Sequence, residues 1–514
     1  MQIIQNKALL IESNYPDRIT SIIPKSKQIE PNKVLVHWGY DECRVLRNMG
    51  FKDIPSPIEK DYQWTGLYTP FNHQRVSAGF LSLNKRAYIL SEPGTGKTGT
   101  VAWAADYLMK QGLVKRMLVI CPMSIMRAAW QNDLFKIVMH RSVGIAHGTK
   151  EVRQKVIQSN TEIVIINYDG VEIVLSELIA GQFDLVVLDE ATAIKRANTK
   201  RWKQINQLIT PDTWLWLMTG TPAAQSPLDA YGLVKLMHPN NIDRSEHLFK
   251  DRVMYKVSNF TWKPKVNANE LVHALMQPAI RYTKEECLDL PELMYATREV
   301  EMTAQQKLYY KKLKDEMTFD LGDASVTAMN AAIALNKLLQ IASGAVFTED
   351  KQVIEFDSSS RYNELVTCIE ESAHSVLVFC MFRHSISMLQ EKLTKDGYTV
   401  DVIHGEVPLN KRSEVFKRFQ ESGQKQVLVI QPQSAAHGVT LHAANTIVWW
   451  SPTTSYEIYE QANARVHRAG QVNKCLVVHL QGSGVEKKLY TALEYRSEQQ
   501  MDLLGLYRNE LREK

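Results

Sequence analysis

Two short segments of the chain carry residue types suited to polyphosphate chemistry. The first reads Ser91-Glu92-Pro93-Gly94-Thr95-Gly96-Lys97-Thr98. A glycine-rich turn between a strand and a helix points several backbone N–H groups at a polyphosphate, and the helix N-terminus adds its positive end. Lys97 is placed to reach the β- and γ-phosphates and Thr98 to hold Mg2+. The strict pattern has Gly six residues before the lysine; Ser91 stands there, small enough to permit the turn. The second segment, FDLVVLDEAT, sets Asp189 and Glu190 where an apolar strand meets solvent. One carboxylate is needed to hold the metal or its water, and another to orient and deprotonate an attacking water. Asp189 suits the first task and Glu190 the second.

Two further groups join this constellation. In LMTGTP, Thr219 and Thr221 are small hydroxyl residues at a strand end, suited to passing a hydrogen-bond change onward. In QANARVHRAGQ, the i, i+4, i+7 spacing of Gln461, Arg465 and Arg468 predicts one face of a helix. A planar, permanently charged guanidinium is what a developing phosphoryl charge requires. Such a group is worth ~10³–10⁵ in rate.

These residues need elements to position them. Short apolar runs bounded by turn signals and separated by helical patterns predict buried parallel strands. They are RAYIL (86–90), RMLVIC (116–121), EIVIIN (162–167), FDLVVLD (183–189) and TWLWLMT (213–219). From about 225 to 345 the pattern predicts helices and no strands, as in TAQQKLYYKKLKDEM and SVTAMNAAIALNKLLQIA. Strand signals resume at SVLVFC (375–380), TVDVIHG (399–405), QVLVIQ (426–431), NTIVWW (445–450) and CLVVHL (475–480). Ahead of both blocks, MQIIQNKALLIES and KVLVHW read as strands, YDECRVLRNMGF as a helix ending at Gly50, and FKDIPSPIEKDYQ as a linker. The expected layout is a small α+β module (1–60), an α/β domain (61–240), a helical insertion (241–345), a second α/β domain (346–483) and a terminal helix (484–514). Two parallel-sheet domains on one chain suggest a ligand held in a cleft between them.

Composition narrows the class. The chain has 514 residues, 45% of them hydrophobic and 23% charged, which excludes disorder as its theme. The net charge of +5 is too mild to predict a polyanion partner by itself. The six cysteines form no C-x-x-C pair, so zinc ribbons and disulfide frameworks lack support and reduced, buried thiols are expected. The start MQIIQNKALLIESN has no signal-peptide pattern, and no apolar stretch approaches the ~18 residues of a membrane span. The expected location is cytoplasmic, with no membrane partner.

With these residues in place, the chain resembles a superfamily 2 helicase core of the Swi/Snf type over about residues 65 to 500. FNHQ resembles the adenine-recognising segment, which makes Gln74 the candidate for that role. SEPGTGKT resembles the nucleotide loop, VICPMSIMRAAWQND the C-P-x-S-x-x-x-x-W motif, LDEAT the acidic box and LMTGTP the S/T-G-T-P segment. VIINYD sits where the family has a strand-end tyrosine segment. In the second domain VLVFCMFRHSI, VIHGEVPLNKRSEVFKRFQE and VLVIQPQSAAHGVTLHAANTIVWWSP resemble the family's ordered motifs, and QANARVHRAGQ follows Q-x-x-x-R-x-H-R-x-G-Q. The DEAT and TGTPA wording is similar to the annealing-helicase (HARP-like) branch and its phage relatives. Two positions depart from the family pattern: Thr192 replaces a common His, and QSAAHGV replaces a Gly-rich segment.

The resemblance implies two tandem RecA-like lobes, ATP and Mg2+ as cofactors, and sequence-independent translocation on duplex or branched DNA. It implies that ATP is bound by one lobe and touched by Arg465 and Arg468 of the other. It places DNA grip near Pro122, Ser124, Asn167, Tyr168 and Thr440. The basic stretches KKLKDEM (311–317) and NKRSEVFKRF (410–419) are further candidate contacts, whereas Trp449 and Trp450 read as core. Residues 1–60 are a candidate module for recognising a DNA structure or a protein partner, or for capping the first lobe. The alternatives are a strand-separating DNA or RNA helicase and a nucleotide-gated DNA-binding module without motor activity. A P-loop kinase has no account of the second α/β domain.

Overall fold

A computed structural model of the chain describes all residues except 224–225, 258–261, 288–289, 321–327, 348–352, 436–438, 469 and 495–514. Two compact units emerge, one within Met1–Cys287 and one beginning at Leu288.

The first unit opens with β1 (Gln2–Ile4), β2 (Ala8–Glu12), β3 (Ser26–Glu30) and β4 (Lys33–His37), an antiparallel sheet in the order β1-β2-β4-β3. Period-2 alternation sends Leu9, Ile11, Val34 and Val36 inward, against Ile19 and Leu46 of the helices Pro16–Ile22 and Tyr40–Asn48. The 51–63 segment is not a free linker. Trp38 Nε1 donates to the Pro55 carbonyl at 2.8 Å, and Ser56 and Ile58 are buried.

The main sheet of this unit contains β5 (Arg86–Ile89), β6 (Met117–Cys121), β7 (Val143–Ala146), β8 (Ile163–Asn167), β9 (Leu185–Asp189) and β10 (Trp214–Met218). After the antiparallel pair β11 (Met254–Lys256) and β12 (Trp262–Pro264), the two-residue β13 (Ala279–Ile280) completes it. The order is β13-β5-β10-β9-β6-β8-β7, and every pairing is parallel. The apolar runs of β6, β8, β9 and β10 are buried along their whole length, because helices cover both faces of the sheet.

The second unit holds β14 (Leu293–Glu299), the antiparallel pair β15 (Ala345–Phe347) and β16 (Val353–Glu355), then β17 (Ser375–Phe379), β18 (Val400–Ile403), β19 (Val427–Ile430), β20 (Ala444–Trp449) and β21 (Cys475–Gln481). Its main sheet runs β14-β21-β20-β17-β19-β18, again all parallel. Each unit is thus a RecA-like α/β lobe, and the expected fold class holds. Among the described residues no helix is long and apolar enough to cross a membrane.

The expectation that strands stop between 225 and 345 fails. Four strands, β11 to β14, lie there, and β13 and β14 extend the two main sheets. All are short or exposed on one side, so they lack the continuous apolar run that marks a buried strand. The same reason hides β7, whose Gly144 interrupts a four-residue strand at the sheet edge.

The second unit is braced by buried polar contacts. Arg361 Nη2 donates to both carboxylate oxygens of Glu486, at 2.7 and 2.8 Å, with the two side chains 3% and 0% exposed. Gly482 N and Ser483 Oγ donate to the same carboxylate, so the helix that runs over 484–494 is tied to the lobe at its start. Trp449 and Trp450 are fully buried, as expected. Behind them His479 stacks on Tyr490 at 4.2 Å, with Nε2 2.8 Å from the Tyr459 hydroxyl. Burial holds His479 down to about 4, from 6.5. A depressed histidine means that the unfolded chain takes up a proton before the native one does. Its contribution is therefore complete above about pH 6.5 and is lost as pH falls toward about 4. The loss amounts to about 3 kcal/mol. We expect urea unfolding of the second unit to lose stability over this window in the native chain, and His479→Gln to flatten the profile. An unchanged profile in the variant would refute the assignment.

Candidate functional site

In a parallel sheet all strands leave by one edge. The order β5-β10-β9-β6-β8 therefore lines up five strand-end segments in space. The loop 90–96 follows β5, Thr219–Thr221 follow β10, and Asp189–Glu190 end β9. Pro122 and Ser124 follow β6, and Asn167 and Tyr168 close β8. The candidates for phosphate chemistry occupy three adjacent strands, and the candidates for polymer contact occupy the next two.

The loop itself is shaped by backbone geometry. Gly96 takes φ +79, the left-handed region, and caps the helix Lys97–Lys110. A Cβ there would lie 2.0 Å from Gln74 Nε2, so both conformation and space demand glycine. Gln74 lies in the first turn of the helix Asn72–Leu83, with Oε1 accepting from Phe71 N at 2.9 Å and Nε2 donating to the Gly96 carbonyl at 3.3 Å. Beside it His73 Nε2 donates to the Thr95 carbonyl at 2.8 Å. Gln74 is thus fastened to the loop by its amide.

Lys97 folds toward the loop, donating to the carbonyls of Ser91 at 2.8 Å and Glu92 at 3.1 Å. Burial pulls its pKa below the usual lysine range, and the charges of Glu190 and Asp189 oppose that pull. Asp189 mirrors it. Burial pushes its carboxyl up, while the Trp130 N–H, the Lys97 charge and the Glu190 amide hold it down. Trp130 Nε1 donates to Asp189 Oδ2 at 2.8 Å, and Glu190 N to Oδ1 at 3.0 Å. Trp130 is fully buried in a π-helical turn, Met126–Gln131, an element common at functional sites. Glu190 sits at φ +52, ψ +56, an unusual conformation for a non-glycine residue. The Tyr168 hydroxyl stabilises this bend by donating to the Asp189 carbonyl at 2.8 Å.

The Thr219–Thr221 turn packs directly on the loop. Thr219 N donates to the Ile89 carbonyl at 3.0 Å, and a Cβ on Gly220 would lie 2.9 Å from Pro93 Cδ. Thr221 N in turn donates to Thr219 Oγ1 at 3.1 Å. The two hydroxyl residues are buried between β5 and the acid pair.

Two of the segments expected to contact polymer have buried side chains. Asn167 and Tyr168 are 8% and 4% exposed, and the Asn167 Oδ1 and the Tyr168 hydroxyl are engaged inside the lobe. Arg153 Nη1 donates to Asn167 Oδ1 at 3.2 Å, so that side chain braces the β7–β8 edge. Tyr168 backs the acid pair. Pro122 and Ser124 remain part-exposed.

The second unit carries Gln461, Arg465 and Arg468, but not on one helix face. The helix Tyr456–Asn463 ends before either arginine, which lie in the turn that follows. Tertiary bonds end it: Leu441 N donates to the Arg465 carbonyl at 2.9 Å, and Asn463 Oδ1 accepts from Trp449 Nε1 at 3.0 Å. Arg468 Nη1 donates to the Val439 carbonyl at 3.0 Å, which draws this turn against the segment holding Thr440. Gln471 Nε2 fastens the end of the turn to the Ala444 carbonyl at 2.8 Å. Gln461 bonds Glu457 within its own helix at 3.4 Å. Residues 436–438 of QSAAHGV lie outside the described residues.

Of the basic stretches, Arg412 is spent on the carbonyls of His404, Gly405 and Val407, and Arg418 on Asp401. Lys411 and Lys417 stay exposed. In 311–317, Lys311 and Lys312 are exposed. Sequence reasoning assigned no role to Trp130, Arg281, Lys284 or His73. Only Trp130 had a visible signal, as the tryptophan that closes the segment resembling C-P-x-S-x-x-x-x-W, one residue later than that pattern has it.

The donor set suits a magnesium nucleotide. Hard oxygen ligands from Thr98 and Asp189, a neighbouring lysine and a loop of backbone N–H groups are what Mg2+ with polyphosphate requires. A buried carboxylate whose ionised form is penalised also gains from a nearby cation.

Comparison with known proteins identifies the family. The SNF2-related domain family matches residues 44–361, and the helicase conserved C-terminal domain matches 360–470. Putative protein p41 of Acyrthosiphon pisum secondary endosymbiont phage 1 is 23% identical over 419 residues, covering 78% of this chain and 88% of its own length. The putative ATP-dependent helicase/translocase YwqA of Bacillus subtilis is 23% identical, covering 79% of this chain and 45% of its own length. The DNA annealing helicase and endonuclease ZRANB3 of Homo sapiens is 24% identical, covering 79% and 37% respectively. The chain thus spans less than half the length of the latter two. A solved SWI2/SNF2 ATPase core of Sulfolobus solfataricus in complex with dsDNA aligns at 20% identity and TM-score 0.42, covering 86% of this chain and 95% of that one.

Trp130→Phe removes the indole donor while keeping most of the volume. We expect it to destabilise the first unit by ~1–2 kcal/mol at about pH 8, where ionised Asp189 needs that donor. The loss should shrink as pH falls, because protonation of a carboxyl with a raised pKa removes the need. Denaturant unfolding as a function of pH checks this; a loss independent of pH would mean that the indole contributes packing alone.

Proposed function

We propose that this chain, which belongs to the SNF2-related domain family and is an ATPase of the Swi/Snf type, is a motor that moves along double-stranded DNA by sequence-independent grip. The reading rests on one observation above others. Three adjacent strand ends of the first unit bring the Lys97 loop, the Thr219–Thr221 turn and the Asp189–Glu190 pair to one edge.

In this reading Ser91 to Thr98 cradle the phosphates of ATP, Lys97 contacts the β- and γ-phosphates, and Gln74 lies beside the adenine end. Thr98 and Asp189 hold Mg2+, which when bound offsets phosphate charge. Glu190, whose backbone lies in the left-handed region, orients the attacking water and takes its proton. We assign to Arg465 and Arg468, with Gln461 supporting, the neutralisation of charge developing on the γ-phosphate. Thr219 and Thr221, packed between loop and acid pair, transmit the change in phosphate state. DNA grip falls to the segments around Pro122, Ser124 and Thr440 and to the exposed Lys411 and Lys417. Phosphate contacts carry no sequence information and weaken with salt.

Steady-state ATP hydrolysis with no polymer, single-stranded DNA, duplex DNA and RNA tests the reading. Duplex DNA should stimulate most, and less so as salt rises; equal or RNA-biased stimulation would sink the duplex assignment. Displacement of a triplex strand separates a motor from a nucleotide-gated clamp. Lys97→Ala and Glu190→Gln should each abolish turnover, with ATP binding lost in the first and retained in the second. Arg468→Ala should lower hydrolysis by ~10³ or more while circular dichroism stays native.

A further inference from the structure

The segment that follows β13 runs alongside the phosphate loop rather than away from it. Tyr88 N donates to the Pro278 carbonyl at 3.0 Å, Leu90 N to Ile280 at 2.8 Å, and Glu92 N to Tyr282 at 3.0 Å. The parallel ladder therefore continues past the end of β5 and into the loop. There the side chains take over. Ser91 Oγ accepts from Tyr282 N at 3.1 Å, so the residue that departs from the strict glycine pattern has a task. The Glu92 carboxylate accepts from Lys284 N at 3.0 Å through Oε2 and from Arg281 Nη2 at 3.3 Å through Oε1. Arg281 and Lys284 are 5% and 7% exposed. The Tyr282 ring lies 5.6 Å from that of His73, which holds Thr95 on the far side of the loop.

The two residues that this strap holds by their side chains, Ser91 and Glu92, are those whose carbonyls accept from Lys97 Nζ. A continuous path of bonds thus runs from Arg281 and the Lys284 amide, through the Glu92 side chain and backbone, to the lysine amine. A charge-assisted hydrogen bond at low exposure is among the stronger and more directional contacts in a protein. A loop with two glycines, whose backbones are intrinsically permissive, gains from such an anchor.

We propose that Glu92 and Arg281 are positioning residues for the ATPase reaction, and that the 281–284 strap sets the shape of the phosphate loop and the place of Lys97. Their side chains bond each other and act through the loop backbone. The strap is the last part of the first unit before the boundary after Cys287, so the loop is anchored to the chain segment that leaves for the second unit. This inference rests on the reading of the loop as an ATP site.

The test uses the full chain, with ATP titration, steady-state hydrolysis and thermal unfolding on each variant. Lys97 binds phosphate in ground state and transition state alike, so its misplacement should raise KM more than it lowers kcat. Glu92→Ala, which loses both bonds, should raise KM for ATP ~10-fold with kcat within ~3-fold. Glu92→Gln keeps an acceptor for the Lys284 amide and should show a smaller rise. Arg281→Lys, conservative in charge but not in geometry, should resemble Glu92→Gln, and the two together should be less than additive. Wild-type KM in Glu92→Ala at unchanged Tm would overturn the proposal, as would a KM rise confined to variants whose Tm falls. Failure of the wild-type chain to bind ATP would instead overturn the nucleotide reading, and this inference with it.

Discussion

Parallel strands share one exit edge, and the chemistry of the first lobe depends on that constraint. Residues 91–98, 189–190 and 219–221 are far apart in sequence and become neighbours only because β10 lies between β5 and β9. Helices on both faces keep the strands buried and the sheet ordered, so the edge acts as a rigid shelf. The loops on it need little reach. The turn at Gly220 packs on Pro93 because adjacent strands in a sheet lie only ~5 Å apart.

On that shelf, an unfavourable burial is arranged to be useful. Lys97 and Asp189 both have their charged forms penalised by surrounding protein, and each is partly rescued by the other. Such a pair gains little stability from mutual attraction, since desolvation consumes most of it. What it gains is responsiveness. In the proposed reading, a polyphosphate with its cation would add charge of both signs at the place where both residues lack solvent. The fixed donors around them, the Trp130 indole, the Glu190 amide and the strap on Glu92, then determine where the charges can sit. The Glu190 backbone, bent into the left-handed region and backed by the Tyr168 hydroxyl, belongs to the same apparatus.

The second lobe is built differently. Its candidate groups lie on the turns that lead into β20 and β21, and these turns are laced together. Arg468 reaches the Val439 carbonyl, the Arg465 carbonyl receives Leu441 N, and Gln471 bonds the Ala444 carbonyl. Several letters of QANARVHRAGQ therefore have structural duties besides any catalytic one. His467, for example, bonds the Pro291 carbonyl at 2.8 Å, next to the start of β14. The buried Arg361–Glu486 pair and the Trp449, Tyr459, His479 and Tyr490 rings stiffen the lobe behind these turns.

The contiguous patterns in the chain determined a good deal. All ten apolar runs of the two α/β domains proved to be strands, and the loop 91–98, the acid pair and the T-G-T-P turn were legible too, because each is a local property of neighbouring residues. The edge strands β7, β13 and β14 were not, since their half-exposed residues carry a weaker run than that of the edge strand β18. The helix through Gln461 read as longer than it is. Nothing in NARVHR forbids a helix, and only the bonds from Leu441 and Trp449 end it at Asn463. Asn167 and Tyr168 looked like surface residues at a strand end and proved to be internal braces. Trp130 on Asp189, and Arg281 on Glu92, could not be foreseen. Such partnerships depend on which strand lies beside which, and strand order is settled by the packing of the whole chain rather than by any short stretch of it.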